Sequence, residues 1–428
     1  MANKSFKVKH FRSRIYNPIR GKILKVLLTV AAVVLLFVLG WFTYEPLMQK
    51  LNTVNKEIIE ENPVVPPEET EEAEELLPQF VEKENIAVTV PEDVLYSNYG
   101  YISFLRSLDE NVTAVIIDMK TKSGTVTYLS EQEGIKNRKS VSEDAVDISK
   151  RVDTARSMGF DVVARIYTFQ DNLAPYGAYN MAIRYESDDG VLWLDDSIDN
   201  GGKPWLNPYS DTAQKYILDI VYDAVDNKFD AIILDGLRFP GDAGINYAYF
   251  GASAETTGRN DVLKQFVEHV YATTVTTDTD LLIAYDGFTV ISGNDNIYGG
   301  SPATFSGDGL SPVIDLNAFV GNKIKDTVYK ELPDDVSEMS LAIYDALGYG
   351  TNKNLFPVFV CKGLADEQLK QLEDSFLSCG AKGFFIEYDD VFFNGEPLEE
   401  VLSEETESED TEVKKKDKSS VSGKTVSE

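Results

Sequence analysis

One feature limits this chain more than any other. Across roughly 310 residues, short apolar runs alternate with amphipathic stretches of helical spacing. The clearest runs are TAVIIDMK (113–120), DVVARIYTF (161–169), DAIILDGLRF (230–239), LLIAYDGF (281–288), LFPVFVCK (355–362) and GFFIEYDD (383–390). VIDLNAFV (313–320) reads as a further strand, and ENIAVTV (84–90) as the first. Near-continuous hydrophobicity suits parallel strands covered by helices on the outside. Between the strands, Val141, Ala145, Ile148, Val152 and Ala155 fall at helical spacing, with Gly159 as a stop. Ser210 reads as an N-cap before the stripe Ala213, Ile217, Ile220, Val221, Ala224 and Val225. Repeated strand–helix alternation predicts an α/β (β/α)8 barrel, spanning residues 86–401. A doubly wound open sheet is the other arrangement such alternation allows, although no Gly-rich dinucleotide loop is present.

The flanks are of a different kind. Residues 1–25 contain eight Lys or Arg and no acid, within a chain of net charge −31. Val26 to Tyr44 is then free of charge for 19 residues, long enough as a helix to cross a bilayer. These stretches predict a basic cytoplasmic leader (1–22) and an uncleaved transmembrane helix (23–44), with everything beyond exported. A cleaved signal peptide competes, but FVLGWFTYEPL offers no small-x-small cleavage site. Residues 45–85 are rich in Pro and Glu and predict an extended spacer, and the charged segment 402–428 a disordered tail. The strongly acidic remainder repels phosphate polymers, so no nucleic acid partner is expected. The SGKT near the C-terminus lacks the first glycine of a phosphate loop, so no nucleotide is expected either.

Scarcity of two residue types narrows the chemistry. The only histidines are His10 and His269, and the only cysteines Cys361 and Cys379. Imidazole-based nucleophile activation and zinc ligation both want more than this. No metal site and no cofactor is therefore expected, and a zinc-dependent deacetylase is disfavoured. The stretch between the cysteines reads as a helix too long to let them bridge, so both are expected as free thiols. Carboxylates remain as the acid–base groups.

Their placement is patterned. Active sites of (β/α)8 barrels collect at the carboxyl ends of the strands. There the chain sets Asp118, then Arg165 and Tyr167, then Asp235 with Arg238, then Tyr285 and Asp286, and finally Glu387. Two carboxyl groups flanking a glycosidic bond are the minimum set for its hydrolysis. Asp235 and Asp286 are the catalytic candidates. Asp118, Arg165, Tyr167, Arg238, Tyr285 and Glu387 are candidate substrate contacts, with Asp118–Arg165 also a candidate ion pair between neighbouring strands. Trp205 and Asn207, in WLNPYS, complete the set, the indole as a platform for a sugar face or as packing under the loop.

At these residues the chain resembles the bacterial putative glycosyl hydrolase domain family, related to α-amylase-type barrels. The resemblance rests on TAVIIDMKTKSGTVTY (113–128), MGFDVVARIYTFQD (158–171), WLNPYS (205–210) and DAIILDGLRFP (230–240), with AYDGF (284–288) as a weaker match. It implies a TIM-type barrel acting on a polysaccharide or oligosaccharide, Asp235 standing at the strand-four aspartate that serves as nucleophile. Asp286 would be the strand-five proton donor, although α-amylases place Glu there, and the family usually has Tyr where this chain has Gly236. A barrel that binds glycan or an envelope protein without cleaving is the alternative.

Overall fold

The computed structural model describes residues 79–387 apart from 187, 242–243, 294 and 349–353, together with the pairs 392–393 and 396–397. The expected leader, transmembrane helix, most of the spacer and the tail lie outside the described residues. Among the described residues, no helix is long and apolar enough to cross a membrane.

Eight parallel strands close on themselves. They are β1 (Asn85–Thr89), β2 (Ala114–Lys120), β3 (Asp161–Tyr167), β4 (Ala231–Asp235), β5 (Asp280–Asp286), β6 (Gly309–Ile314), β7 (Val358–Val360) and β8 (Gly383–Glu387). Each pairs with the next, and β8 pairs with β1, so these eight strands form a closed barrel. The expected barrel forms, and the open sheet does not. Six principal helices run between the strands: α1 (Asn98–Ser107), α2 (Ile148–Ser157), α3 (Asp211–Asp226), α4 (Arg259–Thr274), α5 (Ser337–Leu347) and α6 (Asp366–Ser378). Ser210 caps α3 as expected, its hydroxyl accepting from the Ala213 N–H at 3.2 Å.

Two elements differ from the sequence reading. Val141–Val146 is a strand that pairs in parallel with Val126–Tyr128, and α2 begins only at Ile148. The helical spacing of Val141 and Ala145 is coincidental, because pairing with the short strand beside β2 decides that segment. The run at 313–320 straddles two elements. β6 starts upstream at Gly309, and Asp315 then caps the short helix Leu316–Phe319, its carboxylate accepting from the Asn317 N–H at 2.9 Å.

Alternation along each strand sorts the core into two. Ile116, Val163, Ile233, Leu282, Val358 and Phe385 belong to the cluster inside the barrel, whereas Ile117, Ala164, Leu234 and Ile283 face the helices. The floor is sealed by Phe80 and Val81, which lie in the stretch read as spacer but are buried here. Phe80 packs its ring 5.6 Å from Phe356 and 6.3 Å from Phe385. Both cysteines are free, as expected.

Candidate active site at the barrel mouth

The register sets Asp118 opposite Arg165, Tyr167 opposite Asp235, Asp286 opposite Val313, and Val360 opposite Glu387. Strands of such a barrel are tilted, so inward side chains from alternate strands stack in layers of four. Followed round the closed sheet, the register puts Asp118, Asp235, Val313 and Glu387, from β2, β4, β6 and β8, in one layer at the mouth. Thr89, Arg165, Ala284 and Val358 form the layer beneath, and Tyr167, Asp286 and Val360 stand above. Three carboxylates separated by many residues in sequence thus share one level, with a guanidinium immediately below.

That guanidinium organises the layer. Arg165 is 3% exposed and donates from Nε to Asp118 Oδ1 at 2.5 Å and from Nη2 to Oδ2 at 3.0 Å. Its Nη1 lies 3.3 Å from Glu387 Oε2. The ion pair read between neighbouring strands is present, and it extends to a third strand. Forked pairing of this kind fixes both partners in geometry as well as charge. The Glu387 side chain remains about one third exposed, open to the mouth.

Asp235 is placed differently. One carboxylate oxygen accepts from the Gly236 N–H at 2.5 Å, and no other side-chain hydrogen bond or ion pair holds it among the described residues. Burial pushes its carboxyl above the ordinary range. Arg165 pulls it partly back, and the charges of Glu387 and Asp118 push it up again. Burial raises Asp118 as well, with Arg165 acting against that. Tyr167, beside Asp235 in the register, has its phenol raised well above normal by burial and by the Asp235 charge.

Gly236, where the family usually has Tyr, has a physical cause. Its φ is +58°, and a Cβ there would stand 3.1 Å from the Gln170 Cβ. The chain turns left-handed immediately after the carboxylate, which brings the Gly236 N–H back onto it.

The remaining candidates are distributed as follows. Asp286 is exposed, and its carboxylate accepts from the Thr289 N–H at 2.6 Å, capping the short helix Gly287–Ile291. It does not join the Arg165 cluster. Tyr285 faces outward into the core beneath the helices, so it does not line the mouth. Trp205 is 2% exposed, with Nε1 donating to Asp195 Oδ2 at 3.0 Å and its ring packed with Ile183 and Trp193. It is packing under the loop and offers no open face to a sugar. Asn207 is also committed within the loops, donating to Phe250 O at 2.9 Å and accepting from the Tyr209 N–H. Arg238 makes no ion pair with Asp235 or Asp118; its guanidinium sits 4.8 Å from the centre of the Trp205 ring.

Two features escaped the sequence reading. Tyr298, from the loop after β5, is buried, and its hydroxyl accepts from the Asp286 backbone N–H at 2.9 Å. It stands within electrostatic reach of Arg238, Asp286 and Asp235. Nothing in GNDNIYGG marks it in advance. The second feature is a fully buried ion pair, Lys120 Nζ to Asp171 Oδ2 at 3.0 Å. Lys120 also donates to Tyr167 O at 2.6 Å, which braces the end of β3 beside Asp235. A lysine inside the apolar run of β2 was the available signal.

Among the described residues, no group of three or more His, Cys, Asp or Glu is arranged to hold a metal ion. Residues 100–299 match the family model described as a putative glycosyl hydrolase domain. This segment carries β2 to β5, and with them Asp118, Arg165, Asp235 and Asp286, while Glu387 lies beyond it. The resemblance read from the motifs is therefore borne out over that stretch. No curated protein matches the chain. Similar solved structures include the glycoside hydrolase domain of PgaB (BpsB) from Bordetella bronchiseptica, 16% identical, covering 71% of this chain and 94% of that one with a TM-score of 0.47. The glycoside hydrolase domain of PelA from Pseudomonas aeruginosa is 11% identical, over 71% and 94%, with a TM-score of 0.35. A hypothetical protein from Ruminiclostridium thermocellum is 18% identical, over 45% and 96%, with a TM-score of 0.39.

Proposed function

We propose that this chain is a glycoside hydrolase whose working carboxyls are Asp235 and Glu387. The observation that carries this reading is the layer of three carboxylates at the barrel mouth, unequally served by one arginine. Asp235 is half-buried, raised in pKa by desolvation and left with an uncommitted oxygen, the environment of a proton donor. Glu387 is open to the mouth and held against Arg165, placed to act as the charged partner, base or nucleophile. The donor role departs from the one the family resemblance attaches to the strand-four aspartate. It follows from the burial of Asp235. Asp286 is the weaker partner because its carboxylate is spent on a helix cap.

Three variants test the assignment against a panel of glycans, with released reducing ends as the readout. Asp235→Asn and Glu387→Gln each lose about 10²- to 10⁴-fold, the range for a lost acid–base group, and Asp286→Asn less than about tenfold. Equal losses at Asp286 and Glu387 would reject the pairing. A second reading has its own support, since Arg165 neutralises two of the three carboxylates. In that case the barrel binds glycan without cleaving it, and Asp235→Asn leaves the output of reducing ends unchanged.

We further infer a membrane-anchored, extracytoplasmic barrel, on the charge-free stretch 26–44 behind a basic leader. Protease added to intact cells then digests the barrel, and alkaline washing leaves the chain in the membrane fraction. Protection from protease in intact cells rejects this placement.

A further inference from the structure

Arg238 stands three residues beyond the end of β4, at the mouth, and is half-buried. The carboxylates at the mouth are engaged elsewhere: Asp118 and Glu387 with Arg165, Asp235 with the Gly236 N–H, Asp286 with the Thr289 N–H. Arg238 itself has a single long hydrogen bond, Nη1 to Phe239 O at 3.3 Å, and stacks on the Trp205 indole. Among the described residues it has no ion pair. The indole under it is immobilised, its Nε1 bound to Asp195 and its ring wedged beside Trp193, whose own Nε1 donates to Gly244 O at 3.0 Å. Loops after β3 and β4 thus build a rigid seat for a cation and leave most of its N–H groups unspent. Tyr298 stands within electrostatic reach of both Arg238 and Asp235. Its hydroxyl accepts from the Asp286 N–H and donates to no described residue.

We propose that Arg238, with the Tyr298 hydroxyl beside it, is a subsite for an anionic substituent on the sugar bound next to Asp235. The substrate class is then an acidic glycan, carrying a uronate carboxylate or a sulfate ester. The identification of the ligand as a glycan rests on the hydrolase reading; the anion preference rests on Arg238 alone. A stacked guanidinium presents a fixed fork that matches such planar or trigonal anions, which a lysine ammonium on a mobile stem does not. The net charge of −31 works against this ligand class at long range and puts the whole preference on contact with Arg238. An acidic surface repels polyanions at long range, so an anionic sugar is accepted here only through a cation at contact distance, inside a screening length of about 8 Å.

The test reads binding without turnover, in the full chain carrying Asp235→Asn. Calorimetry compares uronate oligosaccharides with their carboxyl-reduced forms, and sulfated oligosaccharides with their desulfated forms. In at least one pair the acidic member binds tenfold or more tightly. Adding Arg238→Gln brings that preference below about twofold and leaves the neutral member's affinity and the melting temperature in place. Arg238→Lys, which keeps the charge and loses the fork, loses most of the preference as well. No preference in any pair, or a preference that survives Arg238→Gln, overturns the proposal. The hydrolase reading is decided separately, by reducing-end release from the parent chain, so the two can fail independently.

Discussion

The two ends of this barrel treat buried carboxylates in opposite ways. At the floor three carboxylates are each matched to a backbone N–H of a neighbouring segment. Asp280 accepts from Val81 at 2.9 Å, Asp230 from Val162 at 2.7 Å, and Asp308 from Leu281 at 2.8 Å. These acids pin the starts of strands and the Phe80 plug. At the mouth two of the three carboxylates share one guanidinium, and the third, Asp235, keeps an uncommitted oxygen. Burial raises Asp280 and Asp235 alike, so an elevated pKa does not by itself distinguish the ends. What distinguishes them is whether the polar atoms have fixed partners, because a satisfied carboxylate is structural and an unsatisfied one is available to a ligand.

Removing Arg165 breaks this contrast most severely. Arg165→Met leaves Asp118 and Glu387 without their counter-ion and costs about 3–5 kcal/mol at pH 7, the usual loss for half of a buried pair. The loss shrinks toward pH 4, as Asp118, raised by burial, takes up a proton. Denaturant melts at the two pH values check both parts, and an equal loss at both rejects the electrostatic account. Next in size is Asp235→Asn, expected to lower activity while raising the melting temperature. A carboxyl whose folded pKa is raised favours folding only while protonated, so the charged form is a burden at neutral pH that the amide removes. Lost activity with lowered stability would make Asp235 a structural group like those at the floor.

Asp280→Asn probes the other end with a smaller effect. The Asp280 carboxyl is pushed up to about 6, by burial first and by neighbouring Asp308 and Glu82 charges in addition. Its contribution is therefore complete below about pH 4, the unfolded value, and is lost as pH rises through about 6. In Asp280→Asn the fall in stability between pH 5 and pH 8 flattens, since the amide still accepts from Val81 but does not titrate. Unfolding midpoints at the two pH values decide it. Smallest is Ser311→Ala. The Ser311 hydroxyl is buried on the inward face of β6 with no hydrogen-bond partner, so its removal stabilises by about 1 kcal/mol. A loss of stability would show that the interior below Arg165 is polar in use.

The same contrast explains what could be read from the sequence. Strand positions other than that of β6 were legible because each is an apolar run, and Asp118, Arg165, Asp235 and Glu387 stood out because each interrupts or ends such a run. Asp235 and Asp286 look alike in sequence, ILDG against AYDG. They separate only in three dimensions, where the glycine after Asp235 turns left-handed and the one after Asp286 opens a helix. The two readings of Trp205, platform or packing, could not be separated for a related reason: Asp195, which holds its Nε1, and Arg238, which covers its ring, are brought to it only by the folded loops. The role of Arg165 as the shared partner of Asp118 and Glu387 depends on barrel closure between β8 and β1, which no local pattern encodes. Helix and strand were confused at 141–146 and 313–320 because a short apolar run satisfies both periods.

One property of the fold bears on how the protein can be handled. The described chain enters at the floor, through Phe80, and its eighth strand ends at the mouth, at Glu387. The two termini of the barrel are therefore unequal as attachment points. A surface linkage or tag placed ahead of Phe80 approaches from the side away from the carboxylates. A fusion made directly after Glu387 begins beside them, where its first residues compete with substrate for the same opening.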